Sequence, residues 1–218
     1  MKSKTKEIAF LLIALLCLAM FIVLWILVKT GYDFQIDRLN AILYENQNAG
    51  VIAFFKEATF LGDWKVLCLI AVVKMLRSRD KKIGLAFVLS AIISILLCLS
   101  VKYIVCRPRP ENMLIKEVGY SFPSAHSTIS LAVWGMFVYS AIKSDLKPWQ
   151  KAISIIFVVA VILLVGFSRI ILNVHFVSDV LAGFLLGFVS IYIAVQLTKL
   201  IKPKQETKQE TTQKTIQV

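Results

Sequence analysis

Residues 8–28 read IAFLLIALLCLAMFIVLWILV, an uninterrupted apolar run without a single charge. As a helix, such a run is about 31 Å long, enough to cross a hydrocarbon core of roughly 30 Å. It follows the basic start Met1-Lys2-Ser3-Lys4-Thr5-Lys6. A signal peptide opens the same way, but its apolar core spans only about 7–15 residues and ends in a small-residue cleavage site, which is missing here. We read the run as a retained helix. Working outward, further apolar stretches predict spans at approximately 60–76, 83–103, 124–142, 152–169 and 177–200. The fold class expected is therefore all-α: a polytopic membrane protein with six transmembrane helices in one domain, residues 1–201. The tail from 202 to 218 is rich in Lys, Gln, Glu and Thr and is expected to be disordered and cytoplasmic.

Composition agrees with this class and excludes others. At 58% hydrophobic residues the chain exceeds the roughly 45–50% of soluble domains. The formal charge of +12 does not imply nucleic acid, because its basic residues are dispersed over short loops and the tail. Arg77-Ser78-Arg79-Asp80-Lys81-Lys82 and the connection 143–151 are the strongly basic loops. Basic short loops stay cytoplasmic, so these two loops and both termini are assigned inside, which agrees with an even number of spans. The ends of spans three and five and the starts of spans four and six then face outward together. Residues 31–63 are external too. Ile36, Leu39, Ile42 and Leu43 recur at helical spacing, and Val51, Ile52, Phe54 and Phe55 form a second apolar group, which predicts partly interfacial helices. They serve either to guide a lipid or as plain cover. Cys17, Cys68 and Cys98 fall within spans as small apolar residues; Cys106 lies near a surface and is given no role.

The chain has two histidines, and each closes a polar cluster in otherwise apolar sequence. His126 ends Ser121-Phe122-Pro123-Ser124-Ala125-His126; His175 lies between Ser168-Arg169 and Asp179; Lys102, Arg107 and Arg109 precede both. Ionisable groups are costly near a bilayer, so their concentration at the outer helix ends marks a site. Two imidazoles, a carboxylate and fixed cations suit a site that binds an oxyanion and moves protons. That is phosphoryl chemistry.

The pattern Lys102-x6-Arg109-Pro110, then Pro123-Ser124-Ala125-His126, then Ser168-Arg169-x5-His175-x3-Asp179 resembles the type 2 phosphatidic acid phosphatase family, in its short six-span bacterial branch. The resemblance implies a metal-independent phosphatase with no cofactor. Its implied substrate is a phospholipid or polyprenyl diphosphate, with phosphatidylglycerophosphate, undecaprenyl pyrophosphate and phosphatidic acid unranked. It implies a cell-membrane location with the active site on the extracellular or periplasmic side. No nucleic acid and no obligatory protein partner are expected. The family motif carries glycine where this chain has Ala125. Alanine is compatible with a helical first turn at negative φ, and narrows the pocket if glycine serves close phosphate approach.

The residue chemistry runs parallel. Asp179 follows His175 by four positions, so on a helix the two share a face, and the carboxylate fixes the imidazole tautomer. His175 is the expected nucleophile, forming a phosphohistidine, and His126 the acid toward the leaving oxygen. Pro123 suits a helix start, after which the amides of Ser124, Ala125 and His126 and the Ser124 hydroxyl would face an anion. Lys102, Arg109 and Arg169 would hold the nonbridging oxygens. Arg107 and Lys116 are read as interfacial basic residues, Arg107 at most a neighbour of the site. Two other classes compete. A transporter or channel would place polar groups near the midplane rather than at helix ends. A metal centre of His126, His175 and Asp179 would set a dication among three cations.

Overall fold

The computed structural model describes residues 2–45 and 48–201, so the expected disordered tail lies outside the described residues. Among them the secondary structure is helical throughout, with no strand. The long helices are α1 (Lys2–Lys29), α5 (Lys81–Val105), α6 (Ala125–Lys143), α7 (Pro148–Ile171) and α8 (Val177–Leu200). Between α1 and α5 lie α2 (Leu39–Glu45), α3 (Ala49–Ala58) and α4 (Trp64–Arg77), with 3-10 turns at Gln35–Arg38 and Thr59–Gly62. Five helices among the described residues are long and apolar enough to cross a membrane: α1, α5, α6, α7 and α8. The run expected at 60–76 appears as α4, whose 14 residues reach only about 21 Å.

Local sequence sets the helix starts. The carboxylate of Asp63 accepts from the amides of Lys65 (2.8 Å) and Val66 (3.4 Å) to open α4. Asp80 accepts from Lys82 (2.8 Å) and Ile83 (3.3 Å) to open α5, and Asn48 accepts from Val51 (2.9 Å) to open α3. Each satisfies amides that a helix cannot pair internally. Pro148 occupies the first turn of α7, where its missing N–H costs nothing. α5 ends at Cys106, in left-handed backbone (φ 55°), just before Arg107-Pro108.

α8 is the central element, packed against α1, α5 and α6. Its approach to α6 is close. A Cβ at Gly183 would lie 2.7 Å from the Ser124 carbonyl oxygen, and one at Gly187 would lie 2.6 Å from that of Thr128. Small residues let helices approach where lipid supplies no hydrophobic drive for association. The Ser90 hydroxyl adds a bond across helices to the Ala132 carbonyl, 2.7 Å. Outward faces are apolar, with Leu12, Leu16, Leu96, Ile156 and Phe157 all exposed, as suits a surface facing lipid chains.

The two ends of the bundle differ. At one end, Lys199 of α8 meets Glu7 of α1 (3.1 Å), and Asp80, Lys82, Lys143 and Lys199 border a shared depression. At the other end the chain gathers Lys102, Arg109, His126 and His175 around one cleft. Between Gly31 and Asp63 the described residues 35–45 and 49–62 are helical as the periodicity predicts, and these short elements pack on α7 and α8.

Candidate active site

The cleft has a volume of about 400 Å³ and is lined by Lys102, Arg109, Ala125, His126 and His175, with Glu117, Gly62 and Trp64. Lys102 projects from the last turn of α5 and is 8% exposed. Its ammonium donates to the carbonyls of Tyr120 (2.5 Å) and Ser121 (3.3 Å), which leaves a third proton for a ligand. Arg109 organises the loop around it. Nε donates to Gly119 O (3.0 Å), Nη2 to Val118 O (3.1 Å) and Nη1 to Val174 O (2.8 Å). Arg169 is fully buried; Nη1 donates to Thr59 Oγ1 (2.6 Å), Nη2 to the Glu117 carboxylate, and Nε has no partner among the described residues.

His175 sits in the short connection between α7 and α8 and is 1% exposed. Its Nε2 is 3.1 Å from Arg109 Nη1, and its Nδ1 is 3.4 Å from Asp179 Oδ2. A guanidinium can only donate, so Nε2 must carry a lone pair and Nδ1 the proton. Burial, with Lys102, Arg169 and Arg109 adding to it, holds the imidazole well below its ordinary pKa. His175 is therefore a neutral base with its free nitrogen beside the cationic wall. Asp179 is fully buried in the first turn of α8 and divides its oxygens. Oδ2 takes the Phe176 amide (3.0 Å) and faces His175, while Oδ1 takes Arg107 Nη1 (2.6 Å).

The first turn of α6 departs from expectation in two respects. Pro123 is not a helical residue; Ser124 is the N-cap and Ala125 opens the helix. The Ser124 amide is not free, because it donates to the Asp179 carbonyl (3.0 Å), and its hydroxyl oxygen accepts from Ser127 Oγ (3.0 Å) and Ser127 N (3.4 Å). The amides of Ala125 and His126 remain as first-turn donors with no intrahelical partner. Ala125 keeps negative φ within the helix; non-glycine residues with positive φ are Cys106, Asn112 and Asn173. Ser124, Arg169 and Asp179 are buried behind the cleft rather than lining it.

Several residues of the site were not legible as such in the sequence. Arg107 is not an interfacial side chain reaching for headgroups. It donates to Asp179, Ser178 (2.8 Å) and Asp37 (2.8 Å), with its guanidinium 4.2 Å above the Phe176 ring. Lys116, by contrast, is exposed as expected. Glu117 meets both Arg169 and Arg109, the latter at 3.8 Å, and so places a carboxylate on the two guanidinium groups expected to hold phosphate. Asn40 donates to the His175 carbonyl (2.8 Å) and to Asn173 Oδ1 (3.2 Å). The one available signal was polarity in a segment of apolar helices, and it does not reveal a partner 52 to 135 positions away.

The chain is 40% identical over 83 residues to phosphatidylglycerophosphatase B of Bacillus subtilis, an alignment spanning 37% of this chain and 40% of that protein. It is 29% identical over 182 residues to an undecaprenyl-diphosphatase of Sulfolobus acidocaldarius, spanning 78% of this chain and 83% of that protein. Among solved structures, the transmembrane PAP2-type phosphatidylglycerolphosphate phosphatase of Bacillus subtilis superposes with a TM-score of 0.69 at 24% identity. That likeness covers 86% of this chain and 98% of the other. LpxE of Aquifex aeolicus superposes at 0.58 and 25% identity, covering 73% and 93%. The fold is thus that of multi-pass membrane proteins. With the PAP2 superfamily matched over residues 83–202, a stretch that holds nearly all of α5, α6 through α8 and the histidines and cations of the cleft, this chain belongs to that superfamily.

Proposed function

We propose that this protein is a membrane lipid phosphatase that hydrolyses a phosphomonoester or diphosphate headgroup through a phosphohistidine on His175, with no metal. The observation that carries this reading is the placement of His175, with its unprotonated Nε2 at the cationic wall and its Nδ1 toward a buried carboxylate. The Nε2 lone pair attacks phosphorus in line with the leaving oxygen. The P–O bond breaks, and that oxygen takes a proton from His126. Lys102, Arg109 and Arg169 neutralise the phosphoryl oxygens, joined by the amides of Ala125 and His126. Asp179 offsets the charge that appears on the phosphorylated imidazole. Water, deprotonated by His126, then attacks phosphorus and releases phosphate and free His175. Three cations around the cleft disfavour a resident dication, which supports a metal-free path.

A lipid substrate is supported by the shape of the cleft. Trp64, Leu99, Ala125 and Ile129 line both it and a neighbouring groove that continues with Ser94, Ile95 and Cys98 between α4, α5 and α6. A headgroup on the cations would send its chain along that apolar path toward lipid. In this reading α4 serves as the sixth span despite its length, both termini and the basic loops are cytoplasmic, and the cleft opens on the outer face. Phosphatidylglycerophosphate, undecaprenyl pyrophosphate and phosphatidic acid are the candidate substrates, the first two in keeping with the names of the relatives.

The test is phosphate release from these lipids and from glucose 6-phosphate by the purified protein in detergent, with and without chelator. It is paired with an alkaline quench, which preserves a phosphoramidate, after mixing with radioactive substrate. Lipids turning over faster, label on the protein, and no label on His175→Ala are the expected results. Label retained in His175→Ala, or activity lost to chelator and restored by a divalent cation, overturns the mechanism; equal kcat/KM for glucose 6-phosphate overturns the lipid reading.

A further inference from the structure

We infer that Asp37, in the segment between α1 and α2, is a positioning residue of this reaction: it holds Arg107 and the first turn of α8 so that Asp179 is presented to His175. The inference rests on the phosphatase reading above. Asp37 lies in the 3-10 turn Gln35–Arg38, and its side chain is only 9% exposed. Its Oδ1 accepts from the backbone amide of Ser178 (2.8 Å). Its Oδ2 accepts from Ser178 Oγ (2.7 Å) and from Arg107 Nη2 (2.8 Å). Ser178 is the second residue of α8, so its amide is one that the helix cannot pair internally. Asp37 therefore caps α8 from a distant part of the chain, where helix-dipole charge also favours a carboxylate.

The geometry of Arg107 gives that contact its consequence. The guanidinium is stretched between two carboxylates, Nη2 on Asp37 and Nη1 on Asp179, with Phe176 beneath it. Held this way it takes only one oxygen of Asp179 and leaves Oδ2 to the Phe176 amide and to His175. Without Asp37 the fork is free to turn onto both oxygens of Asp179, the bidentate arrangement that guanidinium and carboxylate prefer. That rotation competes with the His175 Nδ1 proton for Oδ2, and the imidazole loses the partner that fixes its tautomer. Substrate binding, which falls to Lys102, Arg109 and Arg169, is not touched. The same segment supports the site elsewhere, with Asn40 on the His175 carbonyl and Thr59 on Arg169. Residues 35–45 and 48–59 thus act as straps tied to the chemistry rather than a bare cover.

The experiment compares Asp37→Ala, Asp37→Asn and Asp37→Glu with Asp33→Ala in the full chain. Asp33 forms an exposed pair with Arg38 (2.6 Å) in the same segment and serves as the control. Steady-state kinetics on the monodisperse fraction are combined with ring-nitrogen NMR of histidine-labelled protein. Its two histidines make the signals assignable with a His126→Gln partner sample. For Asp37→Ala we expect kcat to fall about 10–100-fold, as when an outer partner of a reacting imidazole is removed, with KM within about threefold. The His175 ring signals should shift away from the pure Nδ1–H tautomer, and Asp37→Glu should recover part of the rate. If Asp37→Ala does not fold, Asp37→Asn carries the test. It keeps an acceptor for the Ser178 amide but withdraws the charge from Arg107, and should lose kcat with the same ring shift. Unchanged kcat, a loss confined to KM, a loss matched by Asp33→Ala, or a loss with His175 signals unmoved overturns the assignment. A wild-type protein without phosphatase turnover sinks the phosphatase reading, and the ring shifts then still report whether Asp37 positions His175.

Discussion

Gly183→Ala is a change of one methyl group, one turn after Asp179 on α8, and the structure assigns it a large effect. The added Cβ would stand 2.7 Å from the Ser124 carbonyl oxygen, 2.9 Å from Ser127 Cβ and 3.2 Å from the Thr128 amide. Carbon and carbonyl oxygen settle at about 3.3–3.6 Å, so α6 and α8 must part locally by roughly 0.6 Å. The neighbour that must yield is helix backbone, not a side-chain tip. Overpacking of this sort costs about 1–3 kcal/mol, of which the better helix propensity of alanine returns up to about 1 kcal/mol. At the top of that range the net loss is about 2 kcal/mol, which corresponds to a fall in Tm of roughly 4–8 °C for a chain of this size. The displaced turn also carries Ala125 and His126, and its Ser124 amide is tied to Asp179 by a 3.0 Å bond. A misplacement of 1 Å at reacting groups costs about 10²-fold, so a shift of 0.6 Å should cost about tenfold in kcat/KM. Gly135→Ala is the control. Its Cβ would meet Ile191 Cδ1 at 2.6 Å, the end of a side chain that can change rotamer, and its loss should stay within about 1 kcal/mol. Thermal unfolding in detergent and lipid phosphatase kinetics read both variants. Wild-type Tm and kcat/KM in Gly183→Ala, or an equal loss in Gly135→Ala, would refute the close-contact reasoning.

Glu117→Gln removes the carboxylate charge that occupies Arg169 and Arg109, so an incoming phosphate has less to displace; KM for lipid substrate and the inhibition constant for inorganic phosphate should both fall severalfold, and constants at or above wild type would contradict this. His175 should stay neutral through pH 6.5 in ring-nitrogen NMR, because burial and neighbouring cations depress its pKa. An unfolded chain takes up that proton near pH 6.5 while the folded site resists it, so this group's contribution to stability is intact above 6.5 and is lost as pH falls from there toward the folded pKa. A titration midpoint at or above 6.5 would refute it. For orientation, single cysteines at Ser78 and Asn112 are introduced into a cysteine-free background, which also removes the exposed Cys106. An impermeant maleimide should label Asn112→Cys in intact cells and Ser78→Cys only after permeabilisation; the reverse pattern inverts the topology.

Features that depend on neighbours along the chain could mostly be read from the residues alone. Apolar runs located the five long helices to within a few residues, and α8 matches its expected bounds of 177–200. Even the amphipathic spacing of Ile36, Leu39, Ile42 and Leu43 gave helix where the structure has helix. Periodicity and capping are local, and the bilayer leaves few alternatives to a helix. The histidines and cations of the cleft were legible for another reason: such groups, clustered, are too costly in such sequence to be incidental. Tertiary structure decided which polar groups meet. Asp37 and Ser178 are 141 positions apart and Arg107 and Asp37 are 70 apart, and no spacing rule connects them. Arg107 therefore read as an interfacial residue, Glu117 as an unremarked loop acid, and Ser124 as a free anion donor when its amide is spent on Asp179. Gly183 and Gly187, four apart on α8, acquire their meaning only from the crossing with α6. A hydrogen bond or a close contact needs two surfaces, and the chain spells each one separately; their meeting is a property of the packed bundle.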